Sequence, residues 1–231
     1  MKFINQLPNA LTLTNLTLGT MAIFAMINNN VPLALLLMGG SLIADALDGA
    51  LARKLGVASG IGVQLDSLAD LVSFGVLPGV MIYFLGTKNE GFPSHFIIGI
   101  FAALTTASAG LRLARFNVDT KPREYFWGLA TPAGGILVAG WLWADFIDHN
   151  DGFGFSEFPL LTVFISLFLI IFYHVPLKLP SFKSPRTGLV TATLVVILVG
   201  IGIFTLGPIS IPLGVLIYVG LGLLNLVLKW Y

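Results

Sequence analysis

The sequence predicts an all-α, polytopic membrane helix bundle with about eight transmembrane helices. Three observations carry that reading. Of 231 residues, 56% are hydrophobic and 10% charged, where a soluble domain carries about 25% charged residues. Mean hydropathy is +0.93. The apolar runs between polar breaks are about twenty residues long, which suits helices across a hydrocarbon core and exceeds barrel strands of about 9–11 residues. Lipid offers the backbone no hydrogen-bond partners, so helices satisfy it internally.

The elements follow in order. Residues 1–10, with Phe3, Ile4 and Leu7 beside Lys2, read as an interfacial segment without a cleaved signal. A first span over Leu11–Ile27 ends at Asn28-Asn29-Asn30. The second runs from Val31 to Ala52, with Pro32 at its start where a missing N–H costs nothing. The third covers Ile61–Leu85, the fourth His95–Leu113, the fifth Trp127–Phe146 and the sixth Phe158–His174. Between the last two lies an acidic loop, Ile147–Glu157, and after them a basic loop, Val175–Arg186. Thr187–Leu206 and Pro208–Leu228 are plain apolar helices joined by a tight Gly207-Pro208 turn.

Charge sets the orientation. Eight spans put both termini on one side, and that side collects Lys2, Arg53, Lys54, Arg112, Arg115, Lys121, Arg123, Lys178, Lys183, Arg186 and Lys229. The other side has only Lys88. The positive-inside rule then places both termini in the cytoplasm of a cell whose inner membrane holds the chain. The net charge of +1 says nothing about nucleic acid, but no basic patch interleaved with aromatics is present, so no nucleic-acid partner is expected. The absence of cysteine excludes disulfides and thiolate metal sites.

Against this apolar background, residues 45–70 hold four aspartates: Asp45, Asp48, Asp66 and Asp70. Each acid near a bilayer midplane costs about 2.5–3.5 kcal/mol on insertion scales, and such residues mark functional sites. Arg53 and Lys54 are too few to pair with all four. On a helix, Asp45, Asp48, Gly49 and Ala52 fall on one stripe, as do Gly62, Asp66, Ala69 and Asp70 on the next. A short link, Arg53–Ile61, turns the chain back so that the stripes face each other at similar depth on the cytoplasmic side. Four facing carboxylates suit hard divalent ions such as Mg²⁺ or Mn²⁺. A pair of such ions is the usual clamp for displacement at phosphorus. The small residues leave room for a ligand beside the backbone.

The run Asp45-x-x-Asp48-Gly49-x-x-Ala52-Arg53, eight residues, Gly62-x-x-x-Asp66-x-x-x-Asp70 resembles the signature of the CDP-alcohol phosphatidyltransferase family at every fixed position. The resemblance covers roughly residues 5–186. It implies one membrane domain over 1–231, with a family core to about residue 186 and two additional helices over 187–231. It also implies two divalent cations on the four aspartates, and CDP-diacylglycerol held by Asp48, Gly49, Ala52, Arg53, Gly62 and Asp66. The resemblance further implies that Asp70 is the base for the acceptor hydroxyl and that the enzyme is a homodimer.

Three further stretches resemble the bacterial phosphatidylserine synthases within that family. These are Pro8–Gly19, with Asn15 where the phosphatidylglycerophosphate synthases usually carry arginine, then Leu111–Asn117, then Phe126–Gly135. The last departs from the usual pattern at Ala130. They imply L-serine as the acceptor, with phosphatidylserine and CMP as products. Arg112, Arg115, Asn117 and Lys183 are the candidates for a pocket that holds the serine carboxylate or a phosphate, with Ser181 and Ser184 beside Lys183. Two alternatives stay open at this point: the same chemistry with glycerol 3-phosphate or inositol, and a divalent cation transporter whose acids line an ion path. His95, His149 and His174 sit at span ends or in loops, at no ligand spacing, and read as interfacial. Gly75-x-x-x-Gly79 permits close helix packing.

Overall fold

The computed structural model describes residues 6–56, 60–88, 94–118, 126–148, 157–179 and 186–228. The helices are α1 (Leu7–Ile27), α2 (Val31–Leu55), α3 (Gly60–Leu71), α4 (Leu77–Gly86), α5 (His95–Val118), α6 (Thr131–Asp148), α7 (Pro159–Phe172), α8 (Arg186–Leu206) and α9 (Ser210–Leu228). A π-helical turn, Val72–Val76, joins α3 to α4 in one continuous helix. Two short strands, β1 (Phe126–Trp127) and β2 (Lys178–Leu179), pair antiparallel. The chain is a polytopic helical membrane protein. By length and composition, Leu7–Ile27, Val31–Leu55, Gly60–Gly86, His95–Val118 and the stretch Thr193–Asn225 can cross a bilayer, and α7 is a shorter apolar helix.

α1 packs along α2 and also touches α3 and the π turn. The core lies behind them, around the fully buried Phe74, Leu77, Met81 and Leu137. α2 starts cleanly because Asn30 accepts from the Leu33 N–H (3.2 Å) and Pro32 sits in the first turn. It stops at Gly56, whose φ of +64° is the left-handed conformation that glycine enters without strain.

Pro78 explains the π turn. It has no N–H for the carbonyl four residues back, and its ring presses on that carbonyl. The helix widens, and the Leu77 N–H closes on Val72 O. Thr106 of α5 donates to Gly75 O at 3.1 Å, so a carbonyl of the widened turn has an interhelical partner. Gly75 and Gly79 both face α5. A side chain at Gly75 would sit 3.3 Å from Ala109 Cβ, and one at Gly79 would sit 3.2 Å from Ala102 O. The small-residue pair therefore sets how closely these helices approach.

Three local expectations change. α1 begins at Leu7, so residues 7–10 extend the helix rather than lie along the surface; Pro8 occupies its first turn, and Pro8 O accepts from Thr12 (3.0 Å). Residues 1–5 lie outside the described residues. Phe126 and Trp127 do not start the fifth helix: they pair with Lys178–Leu179 from the basic loop, and α6 begins at Thr131 and runs on to Asp148. Gly128 makes that turn at φ +74°. Its N–H donates to Leu177 O (2.9 Å), and the Leu129 N–H donates to Phe172 O (2.8 Å). The third span is one helix interrupted by the π turn.

The chain closes with a hairpin. Gly207, at φ +68°, turns α8 back onto α9. α9 packs against α6 where Gly140 leaves room for Ile211 and Pro212. At the opposite end of the bundle from the aspartates, Lys88 bonds the fully buried Asp145 at 2.6 Å and lies over the Phe84 ring.

Candidate active site

The acids sit where α2 ends and α3 begins. Asp48 and Asp45 precede Leu55 by seven and ten residues, about 10 and 15 Å inside the helix end at 1.5 Å per residue. Asp66 and Asp70 follow Gly60 by similar intervals, so the antiparallel run of the two helices matches Asp48 to Asp66 and Asp45 to Asp70 in depth. Ligand atoms of Asp45, Asp48 and Asp66 all lie within 4.8 Å of one another. Asp70 lies outside that trio, beside Asp45. The stripes therefore face each other as the spacing requires.

α1 fastens the arrangement through two side chains. Thr12 donates to Asp48 Oδ2 at 2.6 Å. Asn15, fully buried, donates from Nδ2 to Asp70 Oδ1 at 3.3 Å. Ser41 of α2 donates to the Asn15 side-chain oxygen and to its backbone carbonyl (3.1 Å), and Ser73 of the π turn donates to the same carbonyl (3.2 Å). One asparagine thus ties α1, α2 and the α3–π helix together beside the acids.

These bonds supply Asp48 and Asp70 with one donor each from α1. A carboxylate accepts at about four lone-pair sites, and among the described residues no lysine or arginine lies within salt-bridge distance of any of the four. Converging carboxylates without countercharge repel one another, and a hard cation with oxygen ligands relieves that. The donor set fits divalent metal ions.

The motif's other residues surround the acids. The Arg53 guanidinium folds back over Gly49, with Nη1 3.3 Å from where a side-chain carbon would stand. Ala52 and Gly62 are half-buried on the two stripes. Asn117 exchanges hydrogen bonds with Ser67 (2.9 and 3.1 Å), the neighbour of Asp66, so the end of α5 is tied to the acid helix. Arg112 donates to Thr131 at the start of α6 (3.2 Å). Arg115 reaches His174 Nδ1 at 3.5 Å, and Ser108 lies 3.0 Å from His174 Nε2. Arginine can only donate, so Nδ1 is the accepting nitrogen of the Arg115–His174 pair. Lys183, Ser181 and Ser184 lie outside the described residues.

Sequence reasoning missed Thr12, Asn15, Ser41, Ser73 and Ser67 as supports, and read His174 as merely interfacial. A signal was present for some of them. Thr12, Asn15 and Gly19 form one polar-to-small stripe on an otherwise apolar helix, and Ser41 and Ser73 extend the two acid stripes by one turn each.

With this geometry in place, the comparisons with known proteins are decisive. The sequence model of the CDP-alcohol phosphatidyltransferase family matches residues 5–224. The chain belongs to this family. The match runs past residue 186 and takes in the α8–α9 hairpin to residue 224. Among relatives, a CDP-diacylglycerol–serine O-phosphatidyltransferase of Helicobacter pylori is 30% identical over 228 residues, 96% of this chain and 90% of that protein. An enzyme of the same name from Bacillus subtilis is 36% identical over 136 residues, 58% of this chain and 74% of that protein. An archaetidylserine synthase of Methanothermobacter thermautotrophicus is 32% identical over 142 residues, 61% of this chain and 59% of that protein. As a phosphatidyltransferase, the chain holds its four-acid cluster at the bundle end that also carries Arg112, Arg115 and Asn117.

Proposed function

We propose that this phosphatidyltransferase moves the phosphatidyl group of CDP-diacylglycerol to L-serine, giving phosphatidylserine and CMP. The observation that carries the reading is the convergence of Asp45, Asp48 and Asp66 within 4.8 Å, with Asp70 beside them and α5 bonded to the same helix. The relatives named for serine supply the acceptor.

Asp45, Asp48, Asp66 and Asp70 hold two divalent cations, Mg²⁺ or Mn²⁺. When bound, such ions neutralise the diphosphate and the charge that develops on the leaving group. Gly49, Ala52 and Gly62 let the nucleotide lie against the helices, and Arg53 adds a guanidinium at the mouth. Asp70, positioned by Asn15, accepts the proton of the serine hydroxyl. The serine oxygen bonds to the phosphorus that bears diacylglycerol, and the bond from that phosphorus to the CMP oxygen breaks. Arg112 and Arg115 hold the serine carboxylate, with Asn117 at the same mouth and Lys183 as the further cation that the sequence offers.

Eight spans, an inner-membrane location with termini and aspartates facing the cytoplasm, and a homodimer belong to the same reading. The charge asymmetry supports the orientation, and family membership supports the dimer. An ion path explains the acids but not Gly49, Ala52, Arg53 and Gly62 at their fixed places in the motif.

The test is an acceptor panel. Purified protein with CDP-diacylglycerol and Mn²⁺ should release CMP with serine and not with glycerol 3-phosphate or inositol. Release with either of those instead would move the acceptor assignment and leave the transfer chemistry in place.

A further inference from the structure

α7 ends at Phe172, shortly before Pro176, which cannot continue a helix, and the turn between them brings His174 against α5. Ser108 and Arg115 stand at i and i+7 on α5, two turns apart on one face. The His174 ring touches both: Nε2 lies 3.0 Å from Ser108 Oγ, and Nδ1 lies 3.5 Å from Arg115 Nη1. We propose that His174 is a positioning residue of the acceptor pocket, aiming the Arg115 guanidinium at the serine carboxylate, a role that rests on the transfer to serine proposed above.

The donors and acceptors in this chain run one way only. Arginine has no acceptor, so it donates to Nδ1. A ring that accepts at Nδ1 carries its proton on Nε2, and Nε2–H donates to Ser108 Oγ. The Ser108 hydroxyl then donates to Ile170 O at 3.4 Å. That carbonyl is open to it because the His174 N–H, which would close the helix on Ile170 O, turns to Ile171 O instead (3.0 Å). Every group in the chain has a defined role, and the chain ends on a backbone atom.

The ring also has a fixed place. The Leu129 N–H donates to Phe172 O (2.8 Å) and the Gly128 N–H to Leu177 O (2.9 Å), so the turn is stitched to the start of α6 on both sides of His174. Its neighbour Tyr173 is buried against Gly134, where an added side-chain carbon would collide with the phenol ring.

A neutral holder suits an arginine that must bind an anion. Imidazole takes one of the five guanidinium N–H groups and leaves four, with the full positive charge. A carboxylate in the same place would neutralise the arginine and compete with the serine carboxylate. Among the described residues, no carboxylate lies within salt-bridge distance of Arg115, and its side chain is exposed.

Two amides that each keep one half of the ring's bonding give the test. Asparagine places its side-chain oxygen where Nδ1 stands, and glutamine reaches the place of Nε2. His174→Ala should raise the KM for serine about tenfold, with kcat and the KM for CDP-diacylglycerol held within about twofold. His174→Asn should recover most of that loss and His174→Gln little of it. Recovery by glutamine alone would mean that the ring only ties α7 to Ser108, and would overturn the proposal. Equal recovery by both amides, recovery by neither, an unchanged serine KM in His174→Ala, or an equal loss for the lipid donor would each overturn it too. A second measurement reads the coupling itself. In an Arg115→Gln background, His174→Ala should add less than about twofold to the serine KM, because the group it positions is gone. A full tenfold addition there overturns the proposal. Wild-type protein that uses glycerol 3-phosphate and not serine would instead overturn the proposed acceptor, and the same cycle, read in the KM for that anionic acceptor, still decides the role of His174.

Discussion

Asn15 is neither charged nor part of the signature, yet it is the side chain that gives Asp70 a defined direction. It is fully buried and engaged on three sides. Asn15→Leu would leave the Asp70 oxygen without its donor and the Ser41 hydroxyl without its side-chain acceptor. A buried polar group stripped of its partner costs about 1–3 kcal/mol. The thermal midpoint in detergent should drop, and kcat should fall more than the affinity for CDP-diacylglycerol, since the nucleotide contacts proposed above lie on Gly49, Ala52 and Gly62. At the other edge of the site, if Arg112 holds the serine carboxylate as proposed, Arg112→Gln removes a charge-assisted bond worth about 1.5–3 kcal/mol, and the KM for serine should rise on the order of tenfold to a hundredfold. The KM for the lipid donor should move little. The reverse pattern would make Arg112 a phosphate ligand.

At the scale of elements, the π turn and the two glycines beside it determine how α5 meets the acid helix. Gly79→Val drives a branched side chain toward Ala102 O, and overpacking of this kind costs about 1–3 kcal/mol. Its thermal midpoint should fall clearly below that of Gly39→Val, which enters open space. Equal midpoints would show that the glycine contact does not set the helix separation. This is also where sequence and structure part company. The acid stripes were legible because a charge in lipid is costly and helical periodicity is regular, so spacing alone puts Asp45 with Asp48 and Asp66 with Asp70 on facing stripes. The pairing of Phe126–Trp127 with Lys178–Leu179 was not, because two residues leave no periodic trace and their partners lie some fifty positions away. His174 was passed over for a related reason: its partners Ser108 and Arg115 come from a different helix, and no local spacing announces them. The π turn was half visible, since Pro78 inside an apolar run forecasts a disturbed helix and not its form.

Over the whole molecule, the two ends of the bundle differ in kind. One end carries the acids, Arg112, Arg115 and Asn117. The other carries the Lys88–Asp145 pair, of which only the acid is fully buried, and Lys88 is the only cation that sequence reasoning assigned to that side. The positive-inside rule turns this asymmetry into orientation. A reporter fused after Tyr231 should read cytoplasmic, and one inserted within Asn28–Asn30 should read external. An external C-terminus would mean an odd number of spans and would return the α8–α9 hairpin to question.

The central claim is metal-assisted transfer at the four aspartates, and removal of the metal tests it most directly. Purified protein treated with a chelator, then given CDP-diacylglycerol and serine, should release no CMP. Added Mn²⁺ or Mg²⁺ should restore release saturably, with one phosphatidylserine formed per CMP, and Asp66→Asn should not recover at any ordinary ion concentration. Full turnover in the chelator, or restored wild-type rates in Asp66→Asn, would contradict the account.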